Sequence, residues 1–195
     1  MNAMTSKTVN MIQRGFTLIE LLIVVIILAI LAAILIPQFS SSTVDAQEAA
    51  LDANLNGLRS AIELYKVQHA GKYPGAVASS GATCPAGSTA GVGAINTDVA
   101  VIDQLTKYSS VTGTTCDASN IDNAVSANNT VLGPYIRKGI PADPIKNIAT
   151  ITVTSAGTPL VAAGTAGGWA YDTKSGQIIM NSTANDSKLA AYSTH

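Results

Sequence analysis

One carboxylate stands where a charge is expensive. Residues Phe16 to Ile36 form an apolar run interrupted by Thr17 and Glu20 alone. An ionised side chain in hydrocarbon costs up to ~2.5–3.5 kcal/mol near a helix centre and less near an end, so such residues are functional by default. The chemistry open to Glu20 is charge pairing with a cation brought to it. Other reactive side chains are sparse. The two cysteines, Cys84 and Cys116, both follow the apolar run, and delivery of that part of the chain outside the cytoplasm makes a disulfide their expected state. The two histidines, His69 and His195, lie far apart, and no His/Cys spacing supports zinc. No phosphate-binding glycine loop, nucleophile elbow or paired carboxylates in a recognisable setting appear, so neither a catalytic site nor a cofactor is expected.

The elements that hold Glu20 follow from periodicity. As a helix the run from Phe16 to Ile36 spans about 31 Å at ~1.5 Å per residue, enough for a ~30 Å hydrocarbon core. Lys7 and Arg14 precede it, whereas Asp45, Glu48 and Asp52 follow, which predicts a cytoplasmic N-terminus. Beyond the run, Leu51, Leu55, Leu58, Ile62 and Tyr65 recur in steps of four and three and form one stripe. Glu48, Asp52, Arg59, Glu63 and Lys66 fall on the other side, with Arg59 and Glu63 spaced for an ion pair. The spacing predicts one helix from about Phe16 to about His69, roughly 80 Å long, ended by Gly71 and Pro74. Pro37 is its expected kink and Gly57 a second weak point.

After Pro74 the texture changes to Gly, Ala, Ser, Thr and Asn. Residues 71–145 read as an irregular region with one short helix over Val99 to Tyr108, and 146–195 as a sheet. Ala149 to Thr154 alternates as a strand, and Trp169 to Tyr171 with Gln177 to Met180 flank a turn as a hairpin. The fold class is therefore α+β: a long N-terminal helix, membrane-spanning in its first half, packed on a small antiparallel sheet. The charged fraction is only 12% against a usual ~25%, and the net charge of −1 gives no reason to expect nucleic acid.

The string Arg14-Gly15-Phe16-Thr17-Leu18-Ile19-Glu20, with Pro37 and Phe39 further on, resembles the processing signature of type IV pilins and type II secretion pseudopilins. Gly133-Pro134-Tyr135-Ile136, Pro141-Ala142-Asp143-Pro144 and the Trp169 hairpin look like segments of such heads. The resemblance implies that residues 1–15 are a leader removed by a prepilin peptidase between Gly15 and Phe16, and that the Phe16 amine is then N-methylated. A glycine suits a scissile position that must lie extended in a protease groove. It further implies that Glu20 pairs with the Phe16 amine of a neighbouring copy, so that 16–37 becomes the filament core and 38–70 its amphipathic continuation. The partners implied are the chain itself, the peptidase, an inner-membrane assembly platform with its ATPase, and the membrane before assembly. The destination implied is a surface pilus, or alternatively the periplasmic pseudopilus of type II secretion or DNA uptake. A plain anchored binding domain explains the apolar length and orientation but neither Gly15-Phe16 nor Glu20. Asp143 and Asp172 are similar to calcium ligands of some secretion pseudopilins. They lack a dense acidic loop, and Asp143 beside its prolines reads as a turn. Asn128, Asn181 and Asn185 head glycosylation-type triplets, as chance predicts in so Ser/Thr/Asn-rich a chain.

Overall fold

The computed structural model describes residues 16–117, 131–164 and 166–195, with the side chains of 36–41 left aside. The leader, Gly15 and Asn128 lie outside the described residues. The chain divides into two units, Met1–Thr43 and Val44–His195.

Helix α1 runs Leu18–Gln68 without interruption in its assignment, through Pro37 and Gly57. It ends as the sequence suggests. Ala70 and Gly71 both take left-handed backbone angles (φ 51° and 80°), and the Gly71 N–H donates to the Lys66 carbonyl at 2.9 Å. That bond satisfies a carbonyl otherwise left open in the last turn. In the second unit the predicted stripe is the core: Leu51, Leu55, Leu58, Ile62 and Tyr65 are at most 1% exposed. They pack with Val101 and Leu105 of α2 (Asp98–Thr106) and with Trp169, Tyr171, Ile178 and Met180. Burying each such side chain contributes about 1.5–3 kcal/mol, so the stripe is the principal hold of the head on its helix.

Two small sheets complete the head. Strands β1 (Tyr108–Ser109) and β2 (Thr115–Cys116) pair antiparallel. Strands β4 (Trp169–Asp172) and β5 (Ile178–Met180) form the predicted antiparallel hairpin. Strand β3 (Ile151–Thr154) adds to β4 in parallel, with Ile151 opposite Trp169 and Thr154 opposite Asp172. Alternation in a sequence marks a strand but carries no direction. The parallel pairing is permitted by the long crossover between Thr154 and Trp169.

Residues 71–117 are far better organised than their composition suggests. Gln104 of α2 is fully buried and bonds three loops: its amide donates to Val77 O (3.0 Å) and Gly113 O (2.9 Å), and its Oε1 accepts from Gly75 N (2.7 Å). Asp103 accepts from Ser79 Oγ (2.7 Å) and pairs with Lys107 (2.9 Å). Cys84 and Cys116 are joined in a disulfide with Cα atoms 5.8 Å apart, closing a separation of 32 residues, a closure worth about 3–4 kcal/mol. Polar bonds and one cross-link thus replace the apolar packing that this stretch lacks.

Two of the charges placed away from the stripe take long-range partners in the head. Glu48 is 8% exposed and accepts from the Ser187 N–H (2.7 Å) and hydroxyl (2.8 Å). Arg59 donates to the main-chain oxygen of His195 at 2.6 Å rather than pairing with Glu63, which instead meets Lys66 at 3.6 Å. Both side chains serve residues 187–195, a long-range partner that helical spacing cannot reveal.

His69 stacks on Tyr65 (ring centroids 3.6 Å, 6° between planes), with Nδ1 2.8 Å from Tyr65 O and Nε2 2.9 Å from Ser109 Oγ. The geometry fits the neutral ring, with Nδ1–H donating and Nε2 accepting. Burial lowers its pKa from the ordinary value, against hydrogen bonds that raise it. A lowered folded pKa means the unfolded chain binds the proton first. His69 therefore contributes stability above pH ~6.5 that is lost as the pH falls below it. Denaturation midpoints compared between pH 7.5 and 5.5 are expected to fall more for the wild type than for His69→Gln; equal slopes would remove His69 from the account.

Candidate functional site

The residues singled out by their chemistry are local, and they build a helix start. Thr17 precedes α1, and Leu21 N–H donates to its carbonyl at 3.2 Å. Glu20 Oε2 accepts from the Thr17 N–H (2.9 Å) and hydroxyl (2.8 Å), while Thr17 Oγ1 accepts from Glu20 N–H (3.3 Å). This reciprocal arrangement is a capping box, in which two otherwise open donors at a helix start are satisfied at once. Glu20 is therefore held within the single chain by neutral groups of Thr17, and among the described residues no cation meets it. The signal was present as Thr17-Leu18-Ile19-Glu20 directly before an apolar run, the pattern that marks such a cap.

Beyond the cap lies an unburied apolar length of helix. Leu18–Leu35 is long and apolar enough to cross a membrane, and none of it is buried within the chain. Phe16 is 81% exposed. Leaving so many large aliphatic side chains uncovered is incompatible with water as their surroundings. Lipid or other protein must take them up, and Glu20 beside the helix start is the one charge carried along.

The remaining candidates are structural. Among the described residues no group of three or more His, Cys, Asp or Glu side chains is placed to hold a metal ion. Asp143, fully buried, accepts from the N–H groups of Ile145, Lys146, Ile148 and Gly168 at 2.6–3.1 Å. It is more than the turn residue expected, because it joins the segment after Pro141 to the start of β4. Asp172 organises the hairpin turn: Oδ2 accepts from the Ser175 hydroxyl (2.6 Å) and from the N–H groups of Ser175 and Gly157. Burial tends to raise its pKa, but these donors hold it below the ordinary value. Both carboxylates are thus occupied by internal N–H and O–H donors. Asn181 is 6% exposed with its amide on Thr152, a poor position for a glycan, whereas Asn185 is exposed.

An unburied apolar helix with a capped carboxylate at its start is thus the chain's distinguishing feature. The chain carries the Prokaryotic N-terminal methylation motif over residues 10–36. Its relatives are type IV pilins and type II secretion pseudopilins. It is 41% identical over 76 residues to a Type IV major pilin protein PilE1 of Neisseria gonorrhoeae, covering 39% of this chain and 46% of that one. It is 47% identical over 58 residues to the Type IV narrow pilus major component PilA5 of Thermus thermophilus, covering 30% and 50%. It is also 39% identical over 57 residues to the Type II secretion system core protein G of Pseudomonas aeruginosa, covering 29% and 40%. The chain thus aligns with half or less of the length of each of these relatives. No solved structure matches it.

Proposed function

We propose that this chain is the structural subunit of a type IV pilus-like filament. A prepilin peptidase cuts it between Gly15 and Phe16, the new Phe16 amine is methylated, and α1 carries it into the polymer with its kink at Pro37. The observation that carries this reading is the unburied apolar stretch Leu18–Leu35 of α1 with Glu20 as its one charge. Before assembly the helix sits in the inner membrane, N-terminus in the cytoplasm and head outside. Assembly moves residues 18–35 from lipid to the same segments of other copies, and gives each Glu20 a positive amine as partner. An assembly platform and its ATPase would drive the transfer. The Cys84–Cys116 bridge suits an oxidising compartment outside the cytoplasm.

Similarity to a secretion core protein favours a second reading, a subunit of a periplasmic pseudopilus. Shearing of cells, electron microscopy of the released material and mass spectrometry of its subunit separate the two. Surface filaments whose subunit begins at N-methylated Phe16 are the expected result. Recovery of the chain in the membrane fraction alone would favour the pseudopilus, and a native chain still carrying residues 1–15 would overturn both.

A further inference from the structure

The outward side of α1 within the second unit carries small side chains from Ala46 to Ser60. Ala46, Ala49, Ala53, Gly57 and Ser60 are all exposed there, opposite the buried stripe. Its two borders differ in charge. Along one, Asn54 and Gly57 face Tyr135, Arg137 and Lys138 across a cleft of about 360 Å³. Arg137 and Lys138 are exposed, and among the described residues neither meets a carboxylate. Along the other border, Asp45, Glu48, Asp52 and Asp186 stand with a single lysine, Lys188, and His195. Glu48 and Asp186 are engaged internally, and Asp52 meets His195 at 2.8 Å. Asp45 is exposed and makes no ion pair among the described residues.

We propose that the occupant of the Arg137/Lys138 cleft is a second copy of this chain, which presents its Asp45/Asp52 border. The proposal rests on the filament reading and supplies a contact between heads. A two-fold pairing through the cleft would set Arg137 and Lys138 against themselves, a like-charge juxtaposition that is unfavourable. Joining unlike borders is a heterologous contact, and a heterologous contact that does not close on itself generates an open helical array. The strip of small side chains between the borders lets backbones approach, while the charges fix which flank meets which. Exposed charges are screened within ~10 Å at 0.1 M salt, so the contact is salt-sensitive.

The test uses the full chain in cells that assemble it. Arg137→Glu with Lys138→Glu is one variant, Asp45→Lys the second, and all three changes together the third. Yield of sheared filaments and the salt concentration at which they fall apart are measured. The emission of Trp169, the sole tryptophan, reports that each head is folded. Either one-sided reversal is expected to lower the yield roughly tenfold, as misplaced like charges at a contact do. The combined variant is expected to recover to within about twofold of wild type. One-sided variants that assemble at wild-type yield and salt resistance overturn the contact, as does a combined variant no better than the weaker single one. A wild-type strain that makes no filament of any kind overturns the filament reading itself, and this contact with it.

Discussion

Replacing Asp143 with alanine is expected to lower the stability of the head by about 4 kcal/mol. The carboxylate is fully buried and accepts four main-chain N–H groups, the shortest from Lys146 at 2.6 Å. Hydrogen bonds to a charged group contribute about 1.5–3 kcal/mol each in favourable cases, and a buried donor left open costs about 1–3. Water entering the vacated space would recover part of the loss, so the net stays well below the sum. Asn is expected to recover little. Its Oδ1 can accept, but its amide would point at N–H groups that themselves donate. The reporter is close at hand, because Trp169 follows Gly168, one of the four donors, and its indole N–H donates to Pro141 O at 2.8 Å. Denaturant titration of the detergent-solubilised protein, read by Trp169 emission, measures the change. A midpoint within error of wild type for Asp143→Ala would show that the N–H groups find equivalent partners without the carboxylate.

Glu20→Leu is expected to leave the chain cut and inserted but to reduce filament yield by at least two orders of magnitude. Breaking a pair of opposite charges in apolar surroundings costs about 3–5 kcal/mol, because the other charge stays buried and unmatched. The capping box gives this prediction a control. Glutamine can still occupy the cap by accepting from Thr17, as in other boxes of this kind. It cannot neutralise an amine. Glu20→Gln is therefore expected to fail in assembly nearly as badly as Glu20→Leu, while Thr17→Val, which keeps the charge and loses the hydroxyl, is expected to assemble at a severalfold reduced yield. Normal filaments from Glu20→Gln would assign Glu20 to helix capping alone. Normal filaments from Glu20→Leu would support an anchored domain that does not polymerise.

What was readable in the chain and what was not divides along the range of the interaction. Helix α1, its buried stripe and its end near Gly71 depend on spacings of three and four residues, and these the sequence carries directly. The hairpin and α2 are similarly local, and the disulfide needed only two cysteines and a compartment. Glu48 and Arg59 were misplaced because their partners, Ser187 and His195, lie more than 130 residues away. Gln104 looked like any polar residue of a short helix. Its importance appears only when three loops converge on one amide. β3 was legible as a strand, but its direction depends on where the crossover returns. At the candidate site the carboxylate was conspicuous and its local partner was not, although Thr17 stood at the right spacing. A charge in an apolar run draws attention to what it lacks, and so hides what already holds it.

The contacts of Glu48, Asp52 and Arg59 with residues 187–195 have a consequence for the order of folding. They close separations of 136 to 143 residues, the kind of closure that forms late because all the intervening residues must first be in place. As the chain emerges N-terminus first, this flank of its helix waits bare until residues 187–195 arrive. The hydrogen bonds of Glu48, Asp52 and Arg59 thus report that residues 187–195 have docked on this flank. A half-folded copy would still present Asp45, but with Glu48 lacking its Ser187 donors and Asp52 lacking His195.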